Sequence, residues 1–311
     1  MSKDLHGIKV ERRRLAYIMG PNYSGSTLLT LLLADHPDIA TVGELKATSM
    51  GDIGSYKCSC GELLTACSFW NKAKQSLLKQ GQDFSFNDFK THFRDKKHPL
   101  TDRLLRASLR GPFFETLRNG GFMLFPTALR KKHDIIEQNK SLIEILCNLL
   151  QAKIFLDDSK EPVRLKFLLA ANLWDIRAIH LIRDGRGVTN SYMRHNKANM
   201  ARAAQEWMHT QQECDRMSKI LGSRRCLTVH YENLCQEPAK TLTTIYQFLE
   251  LQPERRSTSS TRTTHILGNQ MRLGSLQDIR LDEKWKQSLS SEDLQTFTAT
   301  AGELNNIHGY K

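Results

Sequence analysis

The chain has 311 residues, 40% of them apolar, so it can bury a large core, and its 45 Lys and Arg against 33 Asp and Glu give a formal charge of +12. That excess favours an anionic partner, whether nucleotide, nucleic acid, acidic polysaccharide or membrane surface, and charge alone does not choose among them. No apolar run approaches the roughly 18 to 20 residues of a membrane span, residues 1–14 are basic without the apolar stretch of a secretory signal, and seven cysteines in such a chain predict reduced thiols in a cytoplasmic protein.

Leu15 to Met19 (LAYIM) is a short apolar run ending at Gly20-Pro21, the pattern of a buried first strand that enters a turn. Ser24-Gly25-Ser26-Thr27 offers capping hydroxyls, and Leu28 to Asp35 continues as an apolar helix that Pro37 stops. From about Phe69 to Leu150 helical patterns and paired charges such as Lys96-Lys97 dominate, which predicts a helical insertion. Ile154 to Asp157, Ala178 to Ile182 and Cys226 to His230 are then short apolar runs separated by helical segments. That alternation is the signature of a parallel sheet covered by crossover helices.

The predicted architecture is therefore a single α/β domain over residues 1–311, a P-loop-like central parallel sheet flanked by helices. It carries a basic tail at 1–14 and a helical insertion at about 69–150. A helix from about Pro238 to Leu249 precedes a Ser, Thr and Arg-rich loop over 254–264, read as a mobile connection.

Gly20 to Thr27 spells G-x4-G-S-T, the spacing of a P-loop with Ser26 where a nucleoside triphosphatase needs lysine. A strand running into such a loop and then a helix aims backbone N–H groups at one spot, where the helix dipole adds partial positive charge. Without the lysine the loop suits a shorter, singly bridged anion better than a triphosphate. A simple tight turn is the alternative for the glycines alone. Arg183-Asp184-Gly185-Arg186 follows the strand Ala178 to Ile182, and Ser191 lies two turns into a helix starting near Gly185. Arg183 and Ser191 can converge there on a second anion at a strand's carboxyl end, unless Arg183 is merely paired with Asp184 or Asp175.

Together the two segments resemble the sulfotransferases that use 3'-phosphoadenosine-5'-phosphosulfate (PAPS). Gly20 to Leu29 is similar to their 5'-phosphosulfate loop and Arg183 to Ser191 to their 3'-phosphate motif. Further similarity lies at Val42 to Leu45, Cys58 to Gly61 with Cys67 and Trp70, Asp158 to Lys160, His230 to Leu234, and a tail of His265 to Arg272 with Leu281, Asp282 and Trp285. The tail resembles the bacterial branch, whereas Lys74 to Leu150 has no counterpart in the resemblance.

The resemblance implies PAPS as co-substrate, no metal, and a small-molecule, carbohydrate or peptide hydroxyl as acceptor. It places Tyr23, Ser24, Gly25, Ser26, Thr27 and Leu28 on the phosphosulfate, Arg183 and Ser191 on the 3'-phosphate, and Tyr231 on the adenosine. Gly268, Asn269 and Arg272 would form a C-terminal lid, with the Ser/Thr-rich loop as its hinge. Glu44, at an offset similar to the base of the tyrosylprotein branch, is the candidate base, and Lys160 the candidate cation for the sulfonate or leaving oxygen. Many members of the family carry Arg or Lys where this chain has Tyr23, so either Tyr23 donates through its hydroxyl or another residue takes that part.

Cys58, Cys60 and Cys67, spaced C-x-C-x6-C, lack an obvious fourth ligand and read as a metal-free structural loop. A P-loop kinase or NTPase is the first rival reading. A nucleic-acid binder is the second, but the basic clusters at Arg12 to Arg14 and Arg130 to Lys132 lack interleaved aromatics and read as solvated faces.

Overall fold

The computed structural model describes residues 12–48, 50–106, 111–256, 264–274 and 279–311. The first apolar run forms β1 (Arg14–Met19), buried from Leu15 onward. Beside it lie β2 (Ile39–Thr41), β3 (Ile154–Lys160), β4 (Asp175–Ile182) and β5 (Cys226–His230). Every neighbouring pair is parallel and the order is β2-β3-β1-β4-β5. The strand order thus reverses at β1, and in open parallel sheets the crevice beyond the carboxyl ends at such a point receives ligands.

Alternate residues of the strands face two different cores, as the period of 2 requires. Leu15, Tyr17, Met19 and Phe155 pack toward the insertion, whereas Ala16, Ile18, Leu156 and Ile179 pack against α1 (Ser26–Ala34) and the helices that follow β5. Between β2 and β3 come α2 (Ser68–Lys79), α3 (Pro99–Leu105), α4 (Pro112–Leu124) and α5 (Pro126–Leu150). Helix α6 (Pro162–Ala171) crosses from β3 to β4, and α7 (Gly185–Asn196) with α8 (Met200–Leu221) from β4 to β5. Past β5 lie α9 (Tyr231–Gln236), α10 (Pro238–Phe248), the short α11 (Trp285–Ser288) and α12 (Ser291–Ile307). Helices α3, α4, α5, α6 and α10 all open on proline, whose fixed φ and missing N–H suit the first helical position.

The predicted insertion is helical only in part. Residues 80–98 form turns and loop, because their phenylalanines follow no helical spacing and are drawn inward one by one. Phe84 packs on Phe89 and Phe89 on Trp70, while Phe93 packs on Phe167 of α6. Strand β2, three residues long, had no counterpart among the expected strands.

The basic cluster Arg12 to Arg14 is engaged rather than free: Arg13 donates to the Ala152 carbonyl at 3.2 Å and Arg14 to that of Leu249 at 2.9 Å. Among the described residues no helix is long and apolar enough to cross a membrane. The expected mobile loop lies largely at 257–263, outside the described residues, as does most of the basic tail.

Candidate functional site

Strand β1 must reverse into α1 within six residues, and it does so through two left-handed positions, Tyr23 at φ 69° and Gly25 at φ 90°. Gly25 is the residue before the helix, and no side chain caps α1, so the capping hydroxyls expected from the sequence are not used that way. The first intrahelical bond runs from the Leu29 N–H to the Gly25 carbonyl. The amides of Ser26, Thr27 and Leu28 therefore lie ahead of the ladder, with the positive end of the helix dipole behind them. Ser24 is fully buried beside them, and its hydroxyl has no hydrogen-bond partner among the described residues. An uncapped nine-residue helix and an orphaned buried hydroxyl at one point fit a phosphate-type anion.

Gly25 is also fixed by contact, since a Cβ there would lie 2.3 Å from Cδ2 of Tyr231. Gly25→Ala should therefore displace the Tyr231 ring or flatten the loop. The expected loss of nucleotide affinity is on the order of tenfold to a hundredfold, read by fluorescence titration, because strain of about 1–3 kcal/mol falls on the bound geometry.

Arg183, buried at the end of β4, joins this loop to the second half-site. Its Nη1 donates to the Tyr23 carbonyl at 3.0 Å, its Nη2 to the Asp282 carbonyl at 2.9 Å, and its guanidinium lies 4.4 Å over the Tyr231 ring. The Asp282 carboxylate is 3.3 Å away, so the arginine pairs with Asp282 and not with Asp184 or Asp175. Asp184 instead pairs with Arg186. A Cβ on Gly187 would lie 3.2 Å from Nε of Arg183, and the Ser191 hydroxyl donates to the Gly187 carbonyl at 3.1 Å. Arg183, just before α7, and Ser191 of α7 therefore both lie against Gly187. Tyr231 lies between Gly25 and Arg183, and burial pushes its phenol up.

Glu44 and Lys160 meet on the other side of the loop. Lys160, the last residue of β3, is buried at φ 65°, donates from Nζ to Glu44 Oε1 at 2.5 Å, and accepts from the Gly20 N–H through its carbonyl. Asp158 Oδ1 lies 3.9 Å from the same ammonium. Burial alone would lower the Lys160 pKa, but the carboxylates of Asp158 and Glu44 outweigh it and hold the value above the ordinary one. Burial likewise raises Glu44, and Lys160 and Lys46 outweigh that, so its carboxyl stays below the usual range and ionised.

Asp158 is the exception. Burial raises its carboxyl to about 6 despite Lys160 nearby. An acid whose folded pKa exceeds its unfolded one binds more protons when folded, so stability falls as pH rises between the two values. Asp158 should thus cost about 3 kcal/mol progressively from about pH 4 to pH 6 and hold that cost above. Urea denaturation of wild type and Asp158→Asn at both ends of this window should show the variant gaining by that amount; an equal difference at both ends would refute it.

Asp157 positions the pair, a part that no motif in the chain signals. Its Oδ1 accepts from the Leu45 N–H at 3.3 Å and from the Ser159 hydroxyl at 2.5 Å, while the Ser159 Oγ accepts from the Lys46 N–H at 3.1 Å. Residues 44–46 are thereby pinned to the end of β3. Arg164 of α6 anchors Asp157 at 3.0 Å with both side chains fully buried, and also donates to the Thr91 carbonyl and to Asn139 of α5 at 2.6 Å each. A buried pair satisfied on every side costs about 3–5 kcal/mol to break from one side.

Other expected residues stand elsewhere. The Tyr23 ring stacks on His195 and meets Tyr192 edge-on, and its hydroxyl accepts from Asn196 at 3.0 Å, so the phenol packs on α7 while Lys160 holds the position beside Gly20. Asn269 caps the 3-10 turn Gln270–Leu273 by accepting from the Met271 N–H. Arg272, expected to offer its guanidinium as part of a lid, donates to the carbonyls of Gly268 and Lys57 at 2.5 and 2.7 Å and lies over the Tyr56 ring. It braces the segment from within. Gly268 is near the site, since a Cβ there would lie 3.7 Å from Glu44. Gly43 at φ 77° allows this approach, because a Cβ there would lie 2.4 Å from the Leu267 carbonyl. The view that Cys58, Cys60 and Cys67 lack a fourth ligand is corrected: Nδ1 of His265 lies 3.4 Å from the Cys67 sulfur.

A cleft of about 200 Å³ opens between the loop, the end of β3, α7 and α8, lined by Gly20, Lys46, Lys160, Val188, Trp207 and Glu213 among others. Lys160 stands where the cleft meets the anion loop.

Residues 16–255 match the profile of the Sulfotransferase family. Among solved structures, the chain is similar to the sulfotransferase domain from the olefin synthase of Synechococcus PCC 7002, at 21% identity over 99% of each chain with a TM-score of 0.57. It is also similar to the sulfotransferase domain from the curacin biosynthetic pathway, at 17% identity over 97% of this chain and 99% of that one, with a TM-score of 0.50. At these identities the likeness is one of fold. No curated protein sequence gives a significant match.

Proposed function

We propose, since the chain belongs to the Sulfotransferase family, that it moves a sulfuryl group from PAPS to the hydroxyl of a small molecule, carbohydrate or peptide, releasing adenosine 3',5'-bisphosphate. The observation that carries this reading is the contact between Arg183 and the Tyr23 carbonyl at 3.0 Å. It supports reading the uncapped helix and the Arg183 turn as grips for the two ends of a single nucleotide, with Tyr231, which touches both, for the adenosine.

In-line transfer needs a proton acceptor for the attacking hydroxyl and a cation where charge grows on the leaving oxygen. Glu44 is ionised, half-buried and paired with Lys160, which lines the cleft, and this suits the first task. Lys160 suits the second, because its carbonyl is tied to Gly20 and the residue lines the cleft beside the loop. The two tasks are coupled. While the ammonium sits on Glu44 it depresses that carboxylate's basicity, and when it turns toward an anion on the loop the basicity returns. Tyr23 contributes its carbonyl and the turn, and Ser24 to Leu28 contribute amides and hydroxyls. The acceptor enters through the cleft against α8.

A thermal-shift panel tests the reading. Adenosine 3',5'-bisphosphate at about 100 times its Kd should stabilise the protein by about 2.7 kcal/mol with magnesium absent. Stabilisation by ATP with magnesium, and none by the bisphosphate, would instead establish a P-loop kinase. Labelled-sulfate transfer over phenols, sugars, lipids and peptides then identifies the acceptor class.

A further inference from the structure

The loop between β2 and α2 gathers three thiols around a histidine from far along the chain. Cys58, Cys60 and Cys67 meet His265, and the four donor atoms all lie within 4.8 Å of one another. The Sγ atoms of Cys60 and Cys67 are 3.7 Å apart, and Nδ1 of His265 lies 3.7 Å from the Cys58 sulfur and 3.4 Å from that of Cys67. These are three of the six edges of the tetrahedron that four ligands would form. Zinc with bonds of about 2.3 Å to sulfur and about 2.0–2.1 Å to nitrogen separates sulfurs by about 3.8 Å and sulfur from nitrogen by about 3.5 Å.

Three features set this cluster apart from a chance meeting of cysteines. All seven cysteines are free thiols, so no disulfide accounts for the convergence. Backbone amides reach two of the sulfurs, that of Cys60 at Cys58 and those of Phe69 and Trp70, at the start of α2, at Cys67, the kind of donor that supports metal-bound sulfur. The histidine is held in orientation, its ring stacked on Phe69 at 4.2 Å and 4°.

We propose that Cys58, Cys60, Cys67 and His265 bind one zinc ion in a closed, four-coordinate structural site. With every position taken by protein there is no open place for water or substrate, so the metal acts as a staple rather than in catalysis. What it fastens is the segment 264–274. Ser59 already donates to the Thr264 carbonyl at 2.7 Å and accepts from the Ile266 N–H at 2.8 Å, and Leu267 bonds the Val42 carbonyl at 2.8 Å. The ion would lock this segment, and with it Gly268 beside Glu44, against the loop that follows β2.

The test uses the full chain purified without a histidine tag from zinc-replete medium. Elemental analysis should find about one zinc per chain after gel filtration, and cobalt replacement should give the visible spectrum of a tetrahedral ion with thiolate charge transfer. His265→Ala should weaken zinc binding at least about tenfold in competition with a chromogenic chelator, while Cys147→Ser, a buried thiol outside the cluster, leaves it unchanged. Should His265→Ala fail to fold, the wild-type cobalt spectrum decides. Zinc below about a tenth of an equivalent, a cobalt form lacking thiolate charge transfer, or a native disulfide between any two of the three cysteines would each overturn the site. None of these readouts depends on sulfuryl transfer.

Discussion

Replacing Arg183 by alanine is expected to weaken binding of adenosine 3',5'-bisphosphate on the order of a hundredfold or more, measured by calorimetry, since charge-assisted bonds to a buried phosphate are worth about 1.5–3 kcal/mol each. The side chain holds four things together: the Tyr23 carbonyl, the Asp282 backbone and carboxylate, the Tyr231 ring and the first turn of α7. Its removal deletes a cation and also loosens the turn that presents the loop amides. Arg183→Lys separates the two effects, because it keeps the charge but cannot reach two carbonyls through a planar fork. The lysine variant should recover part of the affinity. If both variants bind the bisphosphate as tightly as wild type, the second half-site lies elsewhere.

Glu44→Gln should lower turnover by about a hundredfold to ten-thousandfold while leaving bisphosphate affinity within a few-fold of wild type. The amide keeps the shape of the side chain beside Lys160 and removes only the proton acceptor. Single-turnover transfer from labelled PAPS separates the chemical step from product release. The ionised Glu44 also sets the direction of the pH response. Its carboxyl lies below the ordinary range in the free protein because Lys160 and Lys46 prevail over burial, so kcat/KM should hold from neutrality down through the usual glutamate range and fail only below it. A variant that loses binding and turnover equally would remove Glu44 from the base role and make it a partner that merely holds Lys160 in place.

The central part of this molecule is legible from residue order, and the reason is local. β1, its glycine loop and α1 follow one another within 21 residues, from Arg14 to Ala34, so apolar runs and turn residues suffice to draw them. The same holds for β4 and the Arg183 turn. What is not legible depends on contacts across long separations. β2 is only Ile39–Thr41, too short to stand out beside the apolar α1, and exists because β3 pairs with it from more than a hundred residues away. Asp157 looks like one acid in a run of polar residues, and only the fold brings Arg164 to one oxygen and Leu45 to the other. His265 lies 198 residues from Cys67, and no spacing rule joins them. Tyr23 and Arg272 were assigned by position in a motif, but a side chain's direction is set by its neighbours. The α7 aromatics turn the first outward, and two carbonyls with Tyr56 draw the second in.

The arrangement of the sheet divides the labour. From one edge to the other, strand ends present Glu44 just past β2, Lys160 on β3, the amide loop after β1, Arg183 after β4 and Tyr231 after β5. The proposed proton acceptor and cation occupy one flank and the proposed nucleotide grip the other, with the loop as the border. Trp207 and Glu213 of α8 line the cleft and stand outside both flanks, so substitutions there should change which hydroxyl is accepted while affinity for the bisphosphate stays as in wild type.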